Sequence, residues 1–262
     1  MNVVFLGGGR ITSAMLAGLR QAKTKHHFVV HDRNPGKLRL LKKTYAIAVE
    51  RDLKSAVRQA DVLLIAVRPD SVADLLRALK KVDYPLLAVS LAAGVPLRLL
   101  KSLLDGPVRW ARAMPSPVCR SGRALTAVTF PRTLPNADRK RVRALFASFG
   151  QVLEIPENKF DAFTVIFSCS HGYHALAALA DCAQEAGLDR KTALRAAAHA
   201  LADGIVAWRE GRSSLESLLE EAATPGGIAA TAAAGMDAAG YQIAVRKGVA
   251  AGLKRARANA RE

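Results

Sequence analysis

Three consecutive glycines near the amino terminus, Gly7-Gly8-Gly9, lie between an apolar run and a segment with helical spacing. At the first glycine a side chain would obstruct a tight turn, and at Gly9 it would keep main-chain N–H groups away from an anion. Those N–H groups and the positive end of a helix dipole can together hold a diphosphate. We therefore assign Gly7 and Gly9 to these two roles. An ordinary glycine-rich turn is the alternative interpretation of so short a motif.

A carboxylate stands at the spacing that dinucleotide binding requires. Asp32 follows Thr12, the third small position of the motif, by twenty residues, and an acidic group there would meet the adenosine ribose. Arg33 and Asn34 come next, and an arginine there can pair with a 2′-phosphate, which Asp32 would repel. The pattern predicts a nicotinamide dinucleotide. Arg33 and the basic composition favour NADPH, and NADH stays possible.

The elements that must position these groups alternate between strands and helices. Apolar runs predict strands at 2–6, 27–31, 61–67 and 86–91, and helical spacing predicts helices at 35–43, 52–59 and 71–80. The run at 61–67 is continuous, as a parallel sheet covered on both faces requires. We expect an α/β fold whose first half is a doubly wound sheet.

The composition changes after Gly150. From about Asp161 the chain is rich in Ala and Leu, and its periodicity predicts helices at 161–186, 190–210 and 229–258. The second half is thus expected to be all helical. We divide the chain into a dinucleotide-binding domain at 1–157 and a helical domain at 158–262.

The overall composition argues against several classes of protein. The net charge of +17, from 39 basic and 22 acidic residues, could attract nucleic acid, but the basic residues are scattered and lack interleaved aromatics, so a nucleic-acid partner is not favoured. No apolar run reaches the roughly 18 residues that cross a bilayer, and no secretory signal is recognisable. We expect a cytoplasmic protein. Its three cysteines indicate neither a disulfide framework nor a metal site.

Five segments together resemble the pyrroline-5-carboxylate reductase family in order and spacing: Gly7–Gly9, Ala60–Pro69, Val89–Val95, Arg112–Pro115 and Thr224–Gly227. The likeness covers about residues 2–255. It implies an NAD(P)H-dependent oxidoreductase that transfers hydride to the C=N carbon of a cyclic imine, with pyrroline-5-carboxylate to proline as the specific case. It also implies a Rossmann-type domain followed by a helical substrate and dimerisation domain, in a homodimer or higher homo-oligomer.

The motif and the resemblance together assign site residues. The substrate residues are Met114, Pro115, Thr224, Gly226 and Gly227. The cofactor-binding residues are Gly7, Gly9, Arg10, Ile11, Asp32, Arg33, Asn34, Ala66, Val67, Arg68, Pro69, Ala92, Ala93 and Gly94. The strand-end positions agree with the rule that ligands bind outside the carboxyl ends of parallel strands. Tight strand-to-helix packing is the alternative explanation of Ala92–Gly94.

The helical half departs from the family at the pocket. Phe167–Tyr173 stands where the family has Ser-Gly-Ser-Gly-Pro-Ala-Tyr, and Ile228-Ala229 replaces the two threonines of Pro-Gly-Gly-Thr-Thr. Ser116 replaces the asparagine after Met-Pro. His171 and His174 are newcomers at the first of these places. The nitrogen of a reduced C=N bond needs a proton, which an imidazolium can donate near neutral pH.

We therefore expect His171 to be a proton donor or substrate anchor, with Tyr173 as the alternative. A hydrogen-bonded structural histidine at a helix start is the competing interpretation. For the whole chain, the lost hydroxyls favour a catalytically quiet NAD(P)-binding sensor or scaffold, whereas the retained glycine motifs favour the enzyme. A basic nucleic-acid binder is a third hypothesis, and it predicts an affinity that falls steeply with salt.

Overall fold

The computed structural model describes residues 1–260, and up to residue 154 these residues alternate between strands and helices. The strands are β1 (Asn2–Leu6), β2 (His27–His31), β3 (Ala48–Val49), β4 (Val62–Ile65), β5 (Leu86–Ser90), β6 (Val108–Pro115), β7 (Ala124–Thr129) and β8 (Gly150–Glu154). The helices between them are α1 (Arg10–Gln21), α2 (Pro35–Tyr45), α3 (Leu53–Arg58), α4 (Val72–Leu79), α5 (Leu97–Leu103) and α6 (Asn136–Ala147). Short 3-10 turns lie at Pro69–Ser71 and Pro117–Ser121.

These strands form one sheet in the order β3-β2-β1-β4-β5-β6-β7-β8. The first six strands are parallel, β7 runs antiparallel to β6, and β8 runs parallel to β7. β1 lies between β2 and β4, so the chain leaves β1 towards one edge of the sheet and later returns on its other side. The carboxyl ends of β1 and β4 therefore flank the switch point at which open α/β sheets bind ligands.

Helices cover both faces of the sheet because its strands are apolar on both sides. Val3 and Phe5 of β1 pack in one buried cluster with Met15 of α1, whereas Val4 and Leu6 pack in another with Leu76 of α4. The alternation follows from the two-residue period of a strand. The predicted doubly wound sheet is confirmed.

Beyond the sheet the described chain is helical. It contains α7 (Glu157–Ile166), α8 (Ser170–Glu185), α9 (Arg190–Glu210), α10 (Leu215–Ala222), α11 (Ile228–Ala238) and α12 (Tyr241–Asn259). None of the helices among residues 1–260 combines the length and the apolarity needed to span a membrane.

Two of the predicted long helices are wrong, because each is interrupted. The segment 161–186 breaks between α7 and α8, where the Ser168 hydroxyl bonds the Ser170 side chain and accepts from its main-chain N–H, a local bond that competes with the helix. The segment 229–258 breaks at Gly240, whose φ of +83° ends α11.

The chain divides into two compact units. The first comprises Met1–Phe167 together with the residues from Ala251 onward, and the second is Ser168–Ala250. In the second unit, α8 and α9 pack around Ala180, Ala193 and Ala197. The division after residue 157 stays a prediction.

Candidate active site

The turn after β1 requires glycine at its first position. Gly7 has a φ of +111°, and a Cβ built on it would lie 2.7 Å from the carbonyl oxygen of Ala66 at the end of β4. Its N–H donates to the His31 carbonyl at 2.8 Å, and its own carbonyl accepts from the buried Thr12 hydroxyl at 2.5 Å. Thr12 thus locks the turn from within, a role that its place in the sequence motif did not suggest.

The third glycine faces open space. A Cβ built on Gly9 would meet no heavy atom within 4 Å. Gly9 is the N-cap of α1, a helix that has no side-chain cap and no acidic residue in its first turn. Arg10 is exposed and Ile11 half-buried. The first-turn N–H groups of α1 and its dipole are thus available to an anion, and these residues fit the diphosphate of a dinucleotide.

Asp32 braces the same turn from the end of β2. Its Oδ2 accepts from the N–H of Gly8 at 2.7 Å, and its Oδ1 accepts from the N–H of Asn34 at 2.8 Å. Lys37 Nζ lies 3.6 Å from Oδ2, so part of the carboxylate charge is neutralised. Asn34 in turn caps α2, and Arg33 between them is exposed. The sequence placed Asp32 at the site but gave no sign of its bond to the glycine turn.

Residues after β4 reach the same edge of the sheet. Ala66 is buried beside Gly7, and its N–H donates to the Leu6 carbonyl at 2.8 Å. Val67 and Pro69 are half-buried, whereas the side chain of Arg68 is 83% exposed and pairs loosely with Asp70 at 3.6 Å. The sequence-assigned residues of β1, β2 and β4 are therefore brought together around the switch point.

The loop after β5 is packed from outside the sheet. Gly94 has a φ of +76°, and a Cβ there would lie 2.5 Å from the carbonyl of Ala256 in α12. Asn259 Nδ2 donates to the Ala93 carbonyl at 3.1 Å. Close packing therefore explains the glycine at position 94. The element packed against it is α12, which follows some 160 residues later in the sequence. Met114 and Pro115 end β6 on the same edge as this loop because β5 and β6 are parallel.

A buried arginine near the carboxyl end of β6 holds α7 against the sheet, and the sequence analysis did not foresee this role. Arg112 of β6 is 1% exposed, and its guanidinium pairs with Asp161 at 2.7 Å and Glu157 at 3.2 Å, both on α7. It also lies over the Phe160 ring, 4.6 Å from the centroid. Glu157 Oε1 additionally accepts from the N–H of Leu97 at the start of α5 at 2.8 Å. Arg112 was part of the family motif, but the paired carboxylates are too distant in sequence to be recognised.

The other assigned residues lie in the second unit. His171 and Tyr173 are in the first turn of α8, where the His171 N–H donates to the Ser168 carbonyl at 3.2 Å. The Tyr173 side chain is exposed. Thr224, Gly226 and Gly227 form the turn before α11, closed by a 2.9 Å bond from the Gly227 N–H to the Thr224 carbonyl. Like α1, α11 has no side-chain cap.

Comparison with known proteins agrees with this arrangement. Residues 2–94 match the family described as NADP oxidoreductase, coenzyme F420-dependent, and residues 157–259 match that described as pyrroline-5-carboxylate reductase dimerisation. A pyrroline-5-carboxylate reductase of Thermus thermophilus is 33% identical over 271 residues, which cover 97% of each chain.

Solved structures share the fold along the whole chain. The 1-pyrroline-5-carboxylate reductase of Streptococcus pyogenes superposes with a TM-score of 0.90 at 22% identity over 98% of both chains. The pyrroline carboxylate reductase of Plasmodium falciparum, solved with NADP bound, gives 0.87 at 20% identity over 99% of this chain and 98% of that one. Because a relative that is 33% identical covers 97% of the chain, and because residues 157–259 match the dimerisation family named for the same enzyme, the chain belongs to the pyrroline-5-carboxylate reductase family.

Proposed function

We propose that this protein is an NAD(P)H-dependent reductase of cyclic imines, with the conversion of pyrroline-5-carboxylate to proline as its specific reaction. The observation that carries the proposal is the open, uncapped start of α1 behind Gly9, at the switch point of the sheet. Family membership supplies the reaction, since the curated relatives are named for it.

The first unit holds the cofactor in this proposal. Main-chain N–H groups at Gly9, Arg10 and Ile11 bind the diphosphate, and Ala66–Pro69 after β4 line the groove beside it. By resemblance to the family, Ala92–Gly94 after β5 line the nicotinamide end of the cofactor. When bound, NAD(P)H supplies the hydride that adds to the C=N carbon, and a proton must reach the imine nitrogen to complete the amine.

NADPH is the proposed cofactor, with NADH as the second choice. Asp32 would repel a 2′-phosphate, but its oxygens already accept two main-chain N–H groups and face Lys37. The exposed guanidinium of Arg33 is free to meet the phosphate. We expect Arg33→Ala to weaken NADPH binding by about ten- to a hundredfold, as loss of a charge-assisted bond predicts, and to leave NADH binding nearly unchanged. Fluorescence titration of both dinucleotides checks this, and an equal loss for both would contradict it.

Glycine variants of the β1 turn separate binding from folding. Gly9→Ala places a methyl group in open space, so we expect a thermal midpoint close to that of the wild type and at least tenfold weaker NADPH binding, because the methyl occupies the diphosphate position. Gly7→Ala forces a Cβ against the Ala66 carbonyl and should destabilise the sheet itself. Unchanged affinity in Gly9→Ala would remove the main support for the proposal.

His171 is the proposed proton donor or substrate anchor, with Tyr173 as the alternative. Both stand in the first turn of α8. General acid catalysis contributes about 10²- to 10⁴-fold, so we expect His171→Ala to lower kcat within that range. Tyr173→Phe and His174→Ala are the comparison variants. If His171→Ala matches wild type in kcat and KM, the histidine is structural.

The turn before α11 is the proposed carboxylate site. Thr224, Gly226 and Gly227 lead into an uncapped helix whose N–H groups and dipole favour an anion, even without the family's threonine hydroxyls. Met114 and Pro115 are the proposed substrate contacts of the first unit. Restoring the hydroxyls in Ile228→Thr/Ala229→Thr should lower KM for pyrroline-5-carboxylate and leave KM for 1-pyrroline, which has no carboxylate, unchanged. Equal effects on both imines would place the carboxylate elsewhere.

One assay tests the activity itself. Purified protein is given NADPH or NADH and a panel of five- and six-membered cyclic imines, each with and without a carboxylate, and dinucleotide oxidation is followed. Turnover of pyrroline-5-carboxylate is the expected result. Saturable cofactor binding without turnover of any imine would instead support the quiet sensor or scaffold.

The proposal also includes the oligomeric state, the domain division and the location of the protein. The helical residues match a dimerisation family, which supports a homo-oligomer, and we propose a homodimer or a higher assembly of such dimers. The division into 1–157 and 158–262, the cytoplasmic location and the absence of a nucleic-acid partner are retained as parts of the same proposal.

A further inference from the structure

The last turn of α12 holds the loop that follows β5. This loop, residues 91–96, carries three of the assigned cofactor residues. Asn259 donates from Nδ2 to the Ala93 carbonyl at 3.1 Å, and the asparagine is only 7% exposed. A single side chain at the end of the described chain therefore fixes a main-chain group in the middle of the loop.

Backbone contact adds to that bond. The carbonyl of Ala256, one turn before Asn259, lies so close to Gly94 that a Cβ there would approach it to 2.5 Å. The same Cβ would lie 2.9 Å from the Cβ of Asn259. The helix end and the loop are in direct contact over consecutive residues, so movement of one displaces the other.

The far end of the loop is anchored separately. The N–H of Leu97 donates to Glu157 Oε1, and the buried Arg112 holds that carboxylate at 3.2 Å. The middle of the loop depends on α12, whereas its end depends on α7. Loss of the Asn259 contact should thus loosen the loop without detaching α5.

The carbonyl oxygen of the Asn259 side-chain amide argues against a role in packing alone. Its Oδ1 is buried and accepts no hydrogen bond from the described part of the chain, and a buried acceptor without a partner destabilises the folded state. A leucine of similar size would fill the space without that oxygen. The amide contributes its N–H to Ala93 and little else.

We propose that Asn259 is a positioning residue for the nicotinamide end of the cofactor, acting through the Ala93 carbonyl. The inference rests on the proposed function, which assigns Ala92–Gly94 to that end. A loop fixed before binding loses little conformational entropy when the ligand arrives, and hydride transfer requires the two reacting carbons to be held in close alignment.

The test compares two ligands that differ only at the nicotinamide. NADPH and 2′-phospho-ADP-ribose share the adenosine, the diphosphate and both riboses, but only NADPH carries the ring. We expect Asn259→Leu to weaken NADPH about five- to tenfold, as the loss of one hydrogen bond predicts, to leave the Kd of 2′-phospho-ADP-ribose within about twofold, and to keep or raise the thermal midpoint. Titration calorimetry and thermal unfolding supply the readouts.

Two further variants make the result decisive. Arg257→Leu changes an exposed residue in the same turn and should bind both ligands as the wild type does. Asn259→Ala removes the donor without adding volume, and it should show the same selective loss if the leucine variant fails to fold.

Three outcomes would overturn the proposal. They are an unchanged NADPH affinity in both Asn259 variants, an equal loss for both ligands, or the same loss in Arg257→Leu. A wild-type protein that binds neither ligand would overturn the proposed function as well, so the two failures can be told apart.

Discussion

The sheet-containing unit and the helical unit bury their apolar side chains to very different degrees. The largest fully buried side chains, among them Trp110, Phe5 and Phe146, all belong to the first unit. The buried cluster of the second unit consists of three alanines. Large apolar side chains on its helices stay exposed in the single chain, including Ile205, Trp208, Leu219, Ile228 and Ile243.

This difference shows that the two halves obtain stability from different sources. The first unit has two apolar clusters of its own, one on each face of its sheet. The second unit leaves many large apolar side chains exposed, as surfaces that bind another protein do, and its match to a dimerisation family accounts for the exposure. Contacts between copies of the chain are therefore expected to stabilise the second unit.

Charged substitutions on the exposed helices of the second unit should have the largest effect, because the first unit should tolerate them and the oligomer should not. In Ile205→Glu/Ile243→Glu, two residues that are 56% and 60% exposed become carboxylates, and burying an unpaired charge costs several kcal/mol. We expect the oligomer to dissociate at micromolar concentration, as measured by light scattering. Leu40→Glu, at a site 64% exposed in the first unit, is the control and should leave the molar mass unchanged. An intact oligomer in the double variant would place the interface elsewhere.

Truncating leucines in the two units should have effects of different size and kind. Leu64 of β4 is fully buried, so we expect Leu64→Ala to lower the free energy of unfolding by about 2–5 kcal/mol, at any protein concentration. Leu219 of α10 is 60% exposed, and Leu219→Ala should shift the thermal midpoint only to the extent that the oligomer weakens, more at low concentration. Denaturant unfolding at several concentrations measures both. Equal, concentration-independent losses would mean that the second unit has a core of its own.

The difference in cysteine reactivity between the two units is the smallest expected effect and the simplest to measure. Cys119 is buried in the first unit, and burial raises the pKa of its thiol to about 11. Only about one thiol in a thousand is then ionised at pH 8, and the thiolate is the reactive form. Cys182 on α8 is exposed in the single chain. We expect iodoacetamide to modify Cys182 in the dissociated variant and to spare Cys119 until the protein unfolds, with mass spectrometry of the digested protein as the measurement. Rapid modification of Cys119 would show that the first unit opens readily.

Local patterns predicted most elements of the first 91 residues. The strands at 2–6 and 27–31 agree with the structure residue for residue, and the strand at 61–67 is observed as Val62–Ile65. Each is a short apolar run between turn residues, so its identity depends on neighbours in sequence. The helix break at Gly240 was missed because alanine-rich sequence surrounds it, and the break at Ser168 was missed because apolar residues recur on both sides of it.

Long-range contacts explain what was missed in the rest of the sheet. β6 carries Arg109 and Arg112, which interrupt its apolar pattern, and β6, β7 and α6 were not predicted. In the fold, Arg109 pairs with Asp138 at 2.9 Å and Arg112 pairs with Asp161 at 2.7 Å. A charged residue is accepted in a buried strand only when a partner is present, and nothing local indicates such a partner.

By itself the sequence determined the doubly wound sheet and the glycine turn, because these depend on residue type, periodicity and short spacing, and five of its motifs carried the resemblance to the family. Only the tertiary structure showed that Thr12 and Asp32 lock that turn, that Arg112 anchors α7 and that Asn259 reaches the loop after β5. The physical reason is that burial and hydrogen bonding between distant segments arise only when the chain has folded, since no local pattern records which polar groups will meet.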